Sequence, residues 1–381
     1  MKNSSTDLKI CMAMLATSGG SSIVAQSIGQ SITASHSGFD IRYCHLRADQ
    51  LQHNHYLLDT NKGCANSKLL DAPPSFGSSM DSVSELLRIH DKWPFDLLHV
   101  HNLQVYGLSA LMLKQIRSIP YVITCHGSDV LNPQLFDQNS EVATEILRNA
   151  DAITCVSSHL ANALTEKVSG LNNIKVINNF ISPDWQQVEQ ERHVQKNKFL
   201  HVSSMRNVKR PQVLLQAFNA LQQQIPQAQL SIVTTNEGVN RVNEMLKSGI
   251  HSGEGINLID GDASPNALAE EYATAQAMVL TSQFEGFGLV VLEALQHHLP
   301  VIAPSVGALP EVLGKQWPYL IDEQDDTQLA LKTANAMKTI ALDNSENLKP
   351  QIESIIARFQ GPRQISQYTT LYKQTLKQNA N

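Results

Sequence analysis

Short apolar runs alternate with amphipathic ones along most of the chain. "LKICMAML" (8–15) is followed by the small polar turn "TSGGSS" (17–22). Then comes "IVAQSIGQSITAS", whose apolar positions recur every three to four residues. "FDLLHVH" (95–101) precedes the helical pattern "GLSALMLKQIR", and "PYVITCHGSD" (120–129) precedes "EVATEILRNA". "DAITCVSS", "HLANALTEKV" and "IKVINNF" continue the alternation. Apolar strands separated by helices predict a parallel α/β sheet. Crossover helices cover both faces of such a sheet and leave its strands wholly apolar.

The pattern breaks at "SPDWQQVEQERHVQKNK" (182–198), which is polar, charged and almost free of aliphatics. A second alternation starts at "FLHVSSM" (199–205) and runs through "PQVLLQAFNALQQQ", "AQLSIVTT", "INLIDGD", "LAEEYATAQ", "AMVLTS", "GLVVLEALQHH" and "PVIAPS". The prediction is two doubly wound, Rossmann-like domains, 1–182 and 199–361, joined by a linker over 183–198. A last helix, 362–381, is left without a fixed place; packing back on the first domain is one option. Two such domains in series are expected to face a cleft, with ligands at the carboxyl ends of the strands.

Composition narrows the function. A chain of 381 residues exceeds one ordinary core, and 42% hydrophobic with 17% charged residues reads as globular. A net charge of −6 argues against non-specific binding to nucleic acid or to anionic membrane. No run of 18 apolar residues and no signal-type leader is present, so stable membrane insertion is not expected and a cytoplasmic location is. The five cysteines are scattered and form no CxxC, which reads as buried thiols. Fourteen histidines include "HNH" (53–55) and "HH" (297–298), but no further ligands stand at zinc spacing. Neither a metal nor a cofactor is expected.

The chemistry gathers at turns between strands and helices. In "AMVLTSQFEGFGLVVLEAL" (277–295) a strand leads into a loop with Gly286 and Gly288, then into a helix. The glycines admit close approach of a ligand, and the helix start suits a phosphate. Glu285 precedes that helix and Glu293 sits about two turns further on, inside an apolar run. There an unpartnered carboxylate costs several kcal/mol, so hydroxyl groups of a ligand are expected to partner it. Two solvated helix glutamates are the plain alternative. "HVSSMRNVKRPQ" (201–212) puts Arg206, Lys209 and Arg210 in the turn after another strand. Cations there can neutralise a diphosphate leaving group; Arg210 is expected to face solvent. Gly19, Gly20, Ser21 and Ser22 form a candidate anion nest. Thr124, His126 and Asp129 stand at a strand's carboxyl end, and Asn179 at another, in "KVINNFISP" (175–183). "IDGDA" (259–263) carries the Asp260–Gly261–Asp262 spacing seen in metal-dependent sites. The basic turn and the helix start already supply positive charge there.

The block "SQFEGFGLVVLEALQHHLPVIAPSVGALPEVL" (282–313) resembles the retaining glycosyltransferases of family 4, with their two-domain B fold and paired glutamates. The resemblance implies that Glu285 and the backbone of Phe287, Gly288 and Leu289 hold a donor sugar, and that Glu293 binds its ribose. It implies Arg206 and Lys209 on the diphosphate and His126 at the reacting centre. The first domain would take the acceptor and the second the nucleotide sugar. "SGGSS", "HVHN", "TCHGSDV", "VINNF" and "MRNVKR" are most similar to the branch that glycosylates L-malate on the way to bacillithiol. This implies N-acetylglucosamine from UDP-N-acetylglucosamine and a small hydroxylated acceptor, held by Gly19, Gly20, Ser21, Ser22, Asn102, Thr124 and Asn179. The chain departs from that branch at Asn102, where relatives carry an aromatic. Arg148 is also the sole cation between Asp129 and Asp151. A lipid-linked or surface-polysaccharide acceptor is the first rival, disfavoured by the few cations on the helices of the first domain. A non-catalytic sugar-nucleotide-binding protein is the second. Self-association is left open.

Overall fold

The apolar runs form two all-parallel sheets. The computed structural model describes residues 7–15, 19–45, 55–57, 76–132, 140–186, 192–261, 265–343 and 345–379. The chain divides into two units, Met1–Ser182 with Gly361–Asn381, and Pro183–Gln360.

Among the described residues the first unit holds seven strands: β1 (Leu8–Met14), β2 (Phe39–His45), β3 (His55–Leu57), β4 (Leu97–His101), β5 (Tyr121–Cys125), β6 (Ala152–Cys155) and β7 (Ile174–Val176). Their order is β3-β2-β1-β4-β5-β6-β7. β1 pairs with β2 and β4, placing Met12 beside Tyr43 on one side and His99 on the other. Every residue of β4, β5 and β6 is buried, as a sheet covered on both faces requires. The last helix, Pro362–Asn379, packs in this unit and buries Ile365, Tyr368, Leu371 and Tyr372.

Among the described residues the second unit holds six strands: β8 (Lys198–Val202), β9 (Gln229–Thr234), β10 (Ile256–Asp260), β11 (Ala277–Val279), β12 (Val301–Pro304) and β13 (Leu320–Ile321). The order is β10-β9-β8-β11-β12-β13. Helices Pro211–Gln222 and Asp326–Leu342 pack together over this sheet. They bury Leu214, Phe218, Leu221, Met337 and Ile340 in one cluster with Phe199, Leu230 and Ile302.

Both sheets reverse their strand order once, between β1 and β4 in the first and between β8 and β11 in the second. Diverging crossovers leave a crevice at the carboxyl ends of such strands. "SGGSS" comes after β1 and "HVHN" is the end of β4 with Asn102 just beyond it, while "SSMRNVKR" and "TSQFEGFG" follow β8 and β11.

The stretch predicted as a polar linker is partly built into the second unit. Pro183–Gln186 is a helical turn with Trp185 buried. From Arg192 the chain is strapped down: the Arg192 guanidinium donates to the carbonyl of Ala275 (2.7 Å) and Gln195 N–H to that of Thr274 (2.8 Å). Its polar side chains and backbone satisfy neighbouring backbone groups, which explains why composition alone resembles a free linker. Among the described residues no helix is long and apolar enough to cross a membrane.

Candidate active site

In the second unit two turns are fastened to each other. His201, fully buried in β8, donates from Nδ1 to the carbonyl of Val279 in β11 (2.7 Å), so Nε2 accepts from Ser203 Oγ (2.8 Å). Burial holds this imidazole near 4, hence neutral. Ser203 Oγ in turn accepts from Met205 N–H (3.0 Å), and Met205 has a left-handed φ of 53°. Gln283 N–H donates to the carbonyl of Val208 (2.7 Å), and Thr281 Oγ1 to that of Lys209 (2.8 Å). Arg210, expected to face solvent, is instead an anchor. It donates to the carbonyls of Thr281 (2.7 Å) and Ser282 (2.8 Å) and pairs with Asp326 (2.9 Å). Its left-handed φ of 47°, just ahead of Pro211, turns its side chain across the neighbouring loop.

This fastening brings Lys209 onto Glu285. Lys209 Nζ lies 2.6 Å from Glu285 Oε1, which also accepts from Ser282 Oγ (2.7 Å). Glu285 is buried to 8% exposure, a place where a carboxylate needs such partners. Arg206 is exposed, and its partner among the described residues is Ser204 Oγ (3.1 Å) within its own turn. Behind Glu285 runs the Val306–Gly307–Ala308 segment, whose Ala308 N–H donates to the Glu285 carbonyl (3.0 Å). A Cβ on Gly307 would stand 2.1 Å from that oxygen, so the "VGALPEV" turn requires glycine there. Gly286 and Phe287 are buried, with the Phe287 ring edge-on to Phe359. Gly288, at a φ of 90°, starts the helix Leu289–Gln296. Glu293 therefore lies one turn into the helix rather than two.

Glu293 already has protein partners. The Tyr272 hydroxyl donates to Oε2 (2.9 Å), and the Trp185 indole also donates to this carboxyl. Trp185 meets Tyr272 and His297 edge-on, and Tyr272 stacks on His297 at 5.4 Å and 9°. Burial in this aromatic setting pushes the Glu293 carboxyl up to about 7 despite those two donors. Tyr272 and Trp185 were not singled out from sequence. The one signal was a tryptophan alone in a polar run.

In the first unit the predicted groups fall on three strand ends. Gly19 and Gly20 are exposed at the start of helix Gly20–Ser35; Ser21 is half-buried and Ser22 buried. Thr17 and Ser18 of the same turn lie outside the described residues. Asn102, at a φ of 92°, caps the helix Leu103–Arg117 by accepting from Gln104 N–H (3.3 Å), a local reason for asparagine. Thr124, expected to line the acceptor side, is closed off inside the sheet. Its hydroxyl lies 2.7 Å from His99 Nε2 and 2.5 Å from Thr154 Oγ1, and no surface remains for a ligand. His126 follows β5 and is half-buried. The Asp129 carboxylate accepts from the backbone N–H of His126 (3.0 Å) and of Gly127 (2.8 Å), fixing the turn. Asn179 follows β7, two strands from β5. It is buried, and its Oδ1 has no partner among the described residues. His99 and His101 escaped the sequence reading, although their i, i+2 spacing on one strand puts both on one face.

Among the described residues no three His, Cys, Asp or Glu side chains converge as a metal site. Asp262 and the Asp260 side chain lie outside them. Cys11, Cys44, Cys125 and Cys155 are buried free thiols, and Cys64 lies outside the described residues.

Residues 18–185 match the family described as Glycosyltransferase Family 4, and residues 196–339 the one described as Glycosyl transferases group 1. Over 389 aligned residues the chain is 25% identical to the N-acetyl-alpha-D-glucosaminyl L-malate synthase of Bacillus anthracis, covering 98% of this chain and 99% of that protein. Among solved structures it is similar to a sucrose-phosphate synthase from Thermosynechococcus elongatus, with a TM-score of 0.78, 21% identity, and coverage of 96% and 98% of the two chains. It is also similar to Anabaena Alr3699/HepE, solved in complex with UDP and glucose. There the TM-score is 0.69 and the identity 17%, covering 96% of this chain and 100% of that one.

Proposed function

The chain belongs to the glycosyltransferases of the two-domain B fold, and on that premise we propose that it moves N-acetylglucosamine from UDP-N-acetylglucosamine to a small hydroxy acid such as L-malate, with retention at the anomeric carbon. The observation that carries this reading is the placement of Lys209, Ser282 and Glu285 together after β8 and β11, with Glu293 in the helix that follows. In this reading Glu285 and the backbone of Gly286, Phe287, Gly288 and Leu289 hold the sugar. Glu293 takes the ribose hydroxyls, with Tyr272 orienting it. Lys209 and Arg206 act on the diphosphate as negative charge builds on it.

No carboxylate is needed as a nucleophile. The C–O bond to the phosphate breaks, the acceptor oxygen bonds to the same face, and the leaving phosphate takes the acceptor's proton. The chain contributes position and charge stabilisation. Acceptor recognition falls to Gly19, Gly20, Ser21, Ser22, Asn102 and Asn179, with His126 at the reacting centre and Thr124 supporting it from within the sheet. Near-full-length similarity to the malate synthase favours that acceptor over a lipid-linked one.

Mass spectrometry of reactions with UDP-N-acetylglucosamine or UDP-glucose and a panel of hydroxy acids and lipid-linked acceptors tests the reading. The expected product is an α-linked N-acetylglucosaminyl malate, formed equally with EDTA present. Transfer to the lipid-linked acceptor alone would overturn the acceptor. Loss of activity with EDTA and its return with manganese would overturn metal independence.

A further inference from the structure

The first unit contains a histidine pair that the proposed chemistry does not yet use in full. His101 Nδ1 lies 3.1 Å from His126 Nε2, with the rings stacked at 5.3 Å and 29°. One of these nitrogens donates and the other accepts. Both rings are neutral, because burial and the neighbouring imidazoles push them well below the ordinary histidine range, His126 to about 3 by burial. A neutral imidazole carries one N–H, so each choice of donor fixes both rings.

If His126 donated from Nε2, His101 would accept at Nδ1 and carry its own proton on Nε2. That Nε2 is fully buried and has no partner among the described residues. It would be a stranded N–H, the rarer and costlier defect. If His101 donates from Nδ1, its Nε2 holds only an unshared pair. His126 then accepts at Nε2 and carries its proton on Nδ1. No described residue hydrogen-bonds to that Nδ1, and His126 retains exposed surface at the carboxyl end of β5.

We propose that His101 is a positioning residue that holds His126 in the Nδ1–H tautomer, so that His126 meets a substrate oxygen as a neutral hydrogen-bond donor. The backbone of His126 is held from the other side by Asp129. Behind the pair, His99 packs 4.2 Å from the His101 ring and is itself tied to Tyr372 Oη of the last helix (2.7 Å). The histidine column is thus braced by residues far apart in sequence. The assignment of His126 to the reacting centre rests on the function proposed above; the tautomer does not.

Long-range ¹H–¹⁵N correlation spectra of the full chain near neutral pH, with His126 assigned through His126→Gln, test this directly. The expected pattern is a protonated Nδ1 and a bare Nε2 on His126; the reverse pattern overturns the proposal. Kinetics give a second readout. His101→Phe keeps the ring shape without a donor and is expected to lower kcat about tenfold or more with little change in KM for the sugar nucleotide. His101→Asn places an amide donor near the lost Nδ1–H and is expected to recover part of that loss. Equal kcat in the two variants would count against the proposal. Should the Phe variant fail to fold, the wild-type spectrum decides. A protein with Nδ1–H on His126 that transfers no sugar would support this assignment and sink the transfer reaction instead.

Discussion

At the scale of single residues, the buried carboxylates set the sharpest expectations. Glu293 is held by Tyr272 and Trp185 in an environment that resists its charge. Glu293→Gln is expected to weaken UDP binding by about 1.5–3 kcal/mol, the worth of a charged hydrogen bond. The same change should raise the melting temperature of the free protein above pH 7, because the wild type must then hold a buried charge. Calorimetry on both states checks the pair; unchanged UDP affinity in a folded variant would remove Glu293 from the donor site. Lys209→Ala should lower kcat by a factor on the order of 10²–10³, since a preorganised charged donor acts most on charge that grows in the transition state. Arg206→Ala acts in the same sense. Arg210→Ala should act differently, lowering stability by leaving the Thr281 and Ser282 carbonyls without their donor. Retention of kcat within twofold by both Lys209→Ala and Arg206→Ala, measured by UDP release, would discard the phosphate assignment. The glutamates and the basic turn were legible in sequence because each motif is local. Tyr272 and Trp185 were not, because their partner lies on another element.

At the scale of elements, the proposed site lies on strand ends and the turns after them. The Glu285 loop, the basic turn and the Gly307 turn are separate in sequence and joined by backbone hydrogen bonds. Gly307→Ala places a methyl against the Glu285 backbone at a left-handed φ of 56°. We expect a loss of about 2 kcal/mol or more in chemical denaturation, together with weaker UDP binding. A variant with wild-type stability would show that the turn relaxes freely. β2 and the helix Phe76–Lys92 did not stand out in the hydrophobic pattern. In "FDIRYCH" the polar Asp40 and Arg42 interrupt the apolar run, and their use appears only in the fold. Asp40 accepts from the Trp93 indole (2.9 Å), and Arg42 lies 4.5 Å over the Trp93 ring. Conversely, 182–198 had the composition of a linker, but its tryptophan and its strapped backbone belong to the second unit.

At the scale of the whole molecule, buried neutral histidines make stability depend on acidity. His99 and His126 are held near 3, and His201 and His297 near 4, chiefly by burial. In the unfolded chain such groups titrate near about 6.5. Below that value the unfolded state binds more protons, so stability present above about pH 6.5 is lost progressively as pH falls towards 3. Glu293 acts oppositely: raised to about 7, its contribution is present at low pH and lost as pH rises through that value. Four histidines outweigh one carboxyl, so the melting temperature should fall steadily from pH 6.5 to pH 4.5. A flat profile by calorimetry would mean that these rings are solvated. The sequence by itself determined the two parallel α/β sheets, their strand-end turns and the glutamate, lysine and arginine motifs, because periodicity and turn chemistry act over a few residues. Only the tertiary structure decided that Thr124 is sealed in the sheet, that Arg210 is an anchor, that Glu293 stands on Tyr272 and Trp185, and that Tyr372 braces the histidine column. Those outcomes depend on which distant side chains a closed core leaves within hydrogen-bond reach, and no local pattern encodes that.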